Sequence, residues 1–138
     1  MELLSEMPRI FWAGDSTVKQ NDFTSYPQCG IGQGFSLFVK KEILIVNRAE
    51  NGRSTKSFID EGRLEFIKEN IHKGDFLFIQ FGHNDEKNDP LRYTDPQTTF
   101  KENLRTFIDT ARNAGAYPLL ITPLYRRCLL YTSPSPRD

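Results

Sequence analysis

The sequence is poor in the residues on which much protein chemistry is built. Its two cysteines, Cys29 and Cys128, stand far apart in 138 residues and fit no metal-ligating or redox spacing. They predict unpaired thiols in a reducing compartment. There are only two histidines, His72 and His83. Charge of either sign is not in excess: Lys+Arg and Asp+Glu each number 18, so no basic field points to nucleic acid. No run approaches the about 20 apolar residues of a membrane span. Met1 to Glu6 carries two acids and neither a basic n-region nor a long apolar stretch. These absences predict a soluble, cytoplasmic protein that binds neither nucleic acid nor membrane, with secretion left open if the gene starts elsewhere. The length suits one domain with a single core.

What is present alternates strand and helix signals. Arg9 to Ala13 is a short apolar strand that ends at Gly14-Asp15-Ser16. Residues 19–34 are polar and predict a loop over the strand ends, followed by a short helix over 35–41. Ile43 to Asn47 reads as the second strand. Ser54 to Ile71 carries helix signals that Gly62 breaks or bends. Phe76 to Phe81 is the third strand, so continuously apolar that burial on both faces is expected. After a second polar loop over 84–96, Asp95 as N-cap and Pro96 as first residue predict the start of the clearest helix. Phe100, Leu104, Phe107, Ile108 and Ala111 share one face of it, and Gly115 stops it. Tyr117 to Thr122 is the fourth strand. This order predicts right-handed βαβ units around a parallel sheet, with helices on both faces.

The candidate chemistry lies where three of these strands run out. Ligands of open α/β sheets bind just outside the carboxyl ends of the strands. Gly14-Asp15-Ser16 places a hydroxyl at one such end, Asn51-Gly52 a close-approach glycine at the next, and Gly82-His83-Asn84-Asp85 a side-chain amide at the third. Ser16 as nucleophile, with the Ser16 and Gly52 N–H groups and the Asn84 amide as donors, makes a serine hydrolase's nucleophile and oxyanion hole. The second glycine of the G-x-S-x-G elbow is absent, so the usual α/β-hydrolase turn is not expected.

Taken together, these residues resemble the SGNH (GDSL-type) hydrolases, and within them the rhamnogalacturonan acetylesterase-like branch. The resemblance rests on Gly14-Asp15-Ser16-Thr17-Val18, on Asn47 to Ser54, and on Phe81-Gly82-His83-Asn84-Asp85. Tyr26-Pro27-Gln28 with Gly32-Gln33 resembles that branch's loop after the nucleophile. It implies a three-layer α/β/α, flavodoxin-like fold and deacetylation of carbohydrate esters without metal or cofactor. It assigns Ser16 as nucleophile and Ser16, Gly52 and Asn84 to the oxyanion hole. Asp15 supports the turn, and His83 has a local structural or substrate-side role. The partner implied is an acylated carbohydrate.

The sequence also departs from that family. Its Asp-x-x-His block, which supplies the base and its orienting acid, has no counterpart after Arg127. Residues 1–127 therefore read as an SGNH domain without its last strand and helix, leaving one sheet edge uncovered. Residues 128–138 read as a tail, either foreign sequence or disorder. Little turnover is expected without a base. The alternatives are a non-catalytic carbohydrate-binding remnant and an unstable fragment. Gly30 to Gly34 hints at a phosphate loop but does not directly follow a strand and has no Lys-Ser/Thr partner, so it is discounted. Arg53 stays open as a ligand to substrate or to a carboxylate of the fold. Asp85, Glu86 and Asp89 read as a solvated turn rather than a metal site. His72 reads as a surface residue.

Overall fold

The computed structural model describes residues 7–125. Among the described residues four parallel strands form one sheet in the order β2-β1-β3-β4. They are β1 (Ile10–Gly14), β2 (Ile45–Asn47), β3 (Phe76–Gln80) and β4 (Tyr117–Leu120). The chain moves from β1 outward to β2, then returns across β1 to β3, so the strand order reverses at β1. The crevice between β1 and β3 is the topological switch point at which such sheets take ligands. Parallel strands need crossovers. These are α1 (Ile31–Phe35), α2 (Thr55–Asp60) with α3 (Arg63–Asn70), and α4 (Thr99–Asn113). Among the described residues no helix is long and apolar enough to cross a membrane.

Strand alternation divides the apolar residues between two cores, which gives the three layers. Phe11, Ala13, Leu77 and Ile79 face α2, α3 and α4, with Phe58, Ile67, Phe107 and Ala111 packed over them. The rings of Phe58, Phe81 and Phe107 lie 5.2–5.6 Å apart. Ile10 and Trp12 face the opposite side with Val18, Phe35 and Phe78. There Trp12 meets Phe35 and Phe78 edge-on at 5.6 and 4.9 Å. β3 is not buried evenly on both faces, as its apolar run suggests. Leu77 and Ile79 are buried, whereas Phe76 and Phe78 are half-exposed because the short α1 and the 3-10 turn Ser36–Phe38 cover that face thinly.

Several boundaries differ from those the sequence predicts. The helix expected over 35–41 begins inside the polar loop, at Ile31, and ends in the 3-10 turn. Its early start follows from close packing: a Cβ on Gly30 would lie 2.3 Å from the Lys19 carbonyl oxygen, and one on Gly32 2.6 Å from that of Val18. That packing accounts for Gly30 and Gly32 without a phosphate. β2 starts two residues late, at Ile45. The break at Gly62 is present, with φ +77° between α2 and α3. Asp95 does not cap α4. Its Oδ1 accepts from the N–H groups of Gln97 and Thr98 at 2.8 and 3.0 Å and so closes a turn ahead of the helix, which starts at Thr99. Among the described residues β4 is an edge strand, and its Tyr117, Leu119 and Leu120 are exposed. The tail over 128–138 lies outside the described residues.

At the amino end of the sheet, Arg9 and Asp75 join the starts of β1 and β3. The Asp75 carboxylate accepts from Arg9 N, Nε and Nη2 at 2.9, 3.2 and 2.8 Å and from His72 N at 2.8 Å. Burial pushes the Asp75 carboxyl up, but these donors and the Arg9 charge outweigh it and hold it below the ordinary carboxylate value. The His72 side chain is exposed, as expected.

Candidate active site

The three loops leave neighbouring strand ends and are stitched to one another by side chains. After β1, the Asp15 carbonyl accepts from Val18 N and Lys19 N at 3.0 and 3.1 Å, which folds the chain into a turn with Ser16 half-buried on it. Asp15 is 2% exposed, and its Oδ1 accepts from Thr17 N and Oγ1 at 2.9 and 2.6 Å. The carboxylate thus holds the turn and leaves Ser16 outside this network. Asn47, at the end of β2, reaches across to the same turn. Its Nδ2 donates to the Val18 carbonyl at 2.8 Å while its Oδ1 accepts from Ala49 N at 3.0 Å. No reading of the sequence singled out that side chain; its place at a strand end beside the Ser16 turn was the available signal.

The second loop is held to β1 by its backbone, with Glu50 N donating to the Gly14 carbonyl at 3.2 Å. Glu50 pairs with Lys19 and lies 3.8 Å from Arg63. Burial raises its carboxyl, but Lys19, the Asn51 N–H and Arg63 together bring it below the ordinary value. Gly52 has φ +73° and is half-buried, and a Cβ there would meet Arg92 Nη1 at 3.8 Å, an ordinary contact. This left-handed turn is natural only to glycine and leaves the peptide N–H unscreened by a side chain.

Asn84 connects the second and third loops. It is 4% exposed, and its Nδ2 donates to the Arg53 carbonyl at 3.1 Å. One of the two amide hydrogens is thereby used, and the bond fixes the plane of the other. Arg53 itself serves the fold: Nε meets Glu61 Oε2 and Nη1 the Asn51 carbonyl, each at 2.8 Å. His83 is half-buried, and its Nε2 has no hydrogen-bond partner among the described residues.

Asp85 is neither a solvated turn residue nor part of a metal cluster. Among the described residues no group of three or more His, Cys, Asp or Glu is arranged to hold a metal. Asp85 is 4% exposed. Its carboxylate accepts from Thr55 N at 3.1 Å, from the Thr55 hydroxyl, and from Thr94 Oγ1 at 2.9 Å. Asn103 Nδ2 in turn donates to Thr55 Oγ1 at 3.1 Å, which brings α4 into the network. Burial pushes the Asp85 carboxyl above its ordinary value; the threonine donors oppose this, and the nearby charge of Asp15 adds to it. A hollow of about 370 Å³ beside this network is lined by Gly82, Asp85, Tyr93, Thr94 and Phe100 among others.

No family model matches the sequence. Individual proteins do. The chain is 50% identical over 118 residues to the probable rhamnogalacturonan acetylesterase YesY of Bacillus subtilis, covering 85% of this chain and 54% of YesY. The chain is homologous to rhamnogalacturonan acetylesterases. It is 46% identical over 119 residues to RhgT, the rhamnogalacturonan acetylesterase of the same organism, covering 86% of this chain and 50% of RhgT. It thus spans about half the length of these relatives. The solved structure of Bacillus subtilis YxiM superposes with a TM-score of 0.71 at 32% identity, over 84% of this chain and 32% of that one. A lipase/acylhydrolase from Enterococcus faecalis superposes with a TM-score of 0.58 at 24% identity, over 86% of this chain and 58% of that one, which shows the shared fold. The flavodoxin-like strand order and the homologues agree on an SGNH-type α/β domain.

Proposed function

We propose that this chain is the nucleophile-bearing part of a serine acetylesterase acting on acylated carbohydrate of the rhamnogalacturonan class. The observation that carries the proposal is the joining of Gly52 and Asn84 through the Arg53 carbonyl, at strand ends beside the Ser16 turn. Ser16 Oγ attacks the acetyl carbonyl. The bond to the sugar oxygen breaks, that oxygen leaves with a proton, and the acetyl group stays on Ser16 until water hydrolyses it. The carbonyl oxygen becomes negative on the way. The N–H groups of Ser16 and Gly52 and the second Asn84 amide hydrogen face that charge, and each such donor is worth about 10²–10³ in rate.

The serine proton needs a base, and a hydroxyl without one is a poor nucleophile at neutral pH. His72 is exposed at the far, amino-terminal end of the sheet, beside Asp75. His83 belongs to the third loop, where the resemblance gives it a structural or substrate-side role. In this reading the 138-residue chain alone turns over little substrate, and an Asp-x-x-His segment supplied from outside it restores the rate.

The test joins residues 7–125 to the portion of YesY that follows the matched region and measures acetate released from acetylated rhamnogalacturonan. Release by this chimera that Ser16→Ala abolishes supports the proposal. Release that survives Ser16→Ala refutes it.

A further inference from the structure

Among the described arginines around the site, Arg92 is the one that brings a terminal nitrogen, Nη1, up to the oxyanion glycine. Arg53 is bound to Glu61 and Asn51, Arg63 to Glu61, Glu50 and the Arg48 carbonyl, and Arg48 lies over the Phe66 ring at 4.0 Å. Arg92 is fixed at one point: Nε donates to Asp89 Oδ2 at 2.6 Å, while its own N–H donates to the Asp89 carbonyl at 2.9 Å. Asp89 also accepts from Leu91 N at 3.0 Å, so the turn closes on the carboxylate that holds Arg92. Nη1 and Nη2 make no hydrogen bond among the described residues, and the side chain is 31% exposed. Nη1 lies 3.8 Å from the point where a side chain on Gly52 would begin. Lys56, on α2, donates to the Pro90 carbonyl of the same loop and lies near enough to Asp89 to lower its carboxyl further. Two cations therefore flank one carboxylate at this rim.

A planar guanidinium with two free N–H edges takes a carboxylate bidentately. A galacturonan chain carries one carboxylate per uronic acid unit. We propose that Arg92 is a specificity residue that binds a uronate carboxylate of the polysaccharide beside the acetylated position. This rests on the acetylesterase reading for its choice of ligand. Arg92 aligns the chain and takes no part in bond breaking.

The experiment titrates the full 138-residue chain with acetylated rhamnogalacturonan oligosaccharides, and with the same oligosaccharides after reduction of their carboxyl groups to alcohols. The wild-type chain binds the acidic form roughly tenfold more tightly or better, the effect of a hydrogen-bonded charge. Arg92→Gln binds both forms alike. Arg92→Lys keeps the charge and loses the fork, so its preference shrinks without vanishing, and it carries the test if the Gln variant does not fold. An acidic preference that either variant leaves at the wild-type level overturns the proposal, as does a wild-type chain without preference. Failure of the esterase reading shows separately: a chain that discriminates uronates through Arg92 while its chimera releases no Ser16-dependent acetate is a uronate-binding protein and not an esterase.

Discussion

Asn84 Nδ2 donates to the Arg53 carbonyl oxygen at 3.1 Å, and this bond ties the loop after β3 to the loop after β2. Because Arg53 follows Gly52 directly, the bond ties Asn84 to the segment that carries the glycine. Replacing Asn84 with Ala removes a proposed donor and the loop tie together. The expected result in the chimera with YesY is a fall of about 10²–10³ in kcat. It comes with a loss of about 1 kcal/mol of stability from the missing hydrogen bond. Steady-state acetate release and a urea melt measure the two effects.

Gly52 separates strain from space. Its φ of +73° disfavours any residue with a Cβ, yet the nearest atom to such a Cβ is 3.8 Å away. Gly52→Ala therefore costs about 1–2 kcal/mol through backbone strain alone. A denaturation midpoint shifted by less than half of that contradicts the left-handed turn. The same comparison at Gly30 ends differently: its Cβ would run into backbone at 2.3 Å, so Gly30→Ala displaces α1 from the Ser16 turn.

Asp75 and Asp85 give stability opposite slopes with pH. The Asp75 carboxyl is lowered on folding, so its contribution is complete above the ordinary carboxylate value and is lost as pH falls through the lowered one. The Asp85 carboxyl is raised. Between its ordinary and raised values the folded chain holds a proton that the unfolded chain does not, so stability falls as pH rises through that window. Asp85→Asn removes this second slope and leaves the first. Melting temperatures of both chains across the acid range, subtracted, measure it; a difference independent of pH contradicts the account.

The Arg9–Asp75 pair anchors β1 to β3 on the side of the sheet away from the site. Asp75→Ala leaves Arg9 and the His72 N–H without their acceptor and is expected to cost about 3 kcal/mol. Chemical denaturation measures the loss. A cost under about 1 kcal/mol makes the pair a surface ornament.

Periodicity and turn chemistry carried the strand-helix order, the break at Gly62 and the juxtaposition of three loops at one end of the sheet. These are local signals, and each element was specified by its own residues. The helix start at Asp95 was misread because an N-cap and an Asx-type turn use the same carboxylate-to-amide bond; only the register of the following chain separates them. Asn47 and Asp85 were not legible for a different reason. Each acts on a loop that follows another strand, so its partner is fixed by sheet order and not by sequence distance. Arg53 was open between substrate and fold until Glu61, eight residues on, proved to hold it.

The central claim is that Ser16 is the acylated nucleophile. Its most direct test is to react the chimera of residues 7–125 and the YesY remainder with a fluorophosphonate and locate the adduct by mass spectrometry. The account predicts one phosphonyl group, on Ser16, with acetate release lost in proportion to labelling. Acetate release that persists while Ser16 is fully labelled, or a single adduct on another residue that abolishes it, contradicts the account.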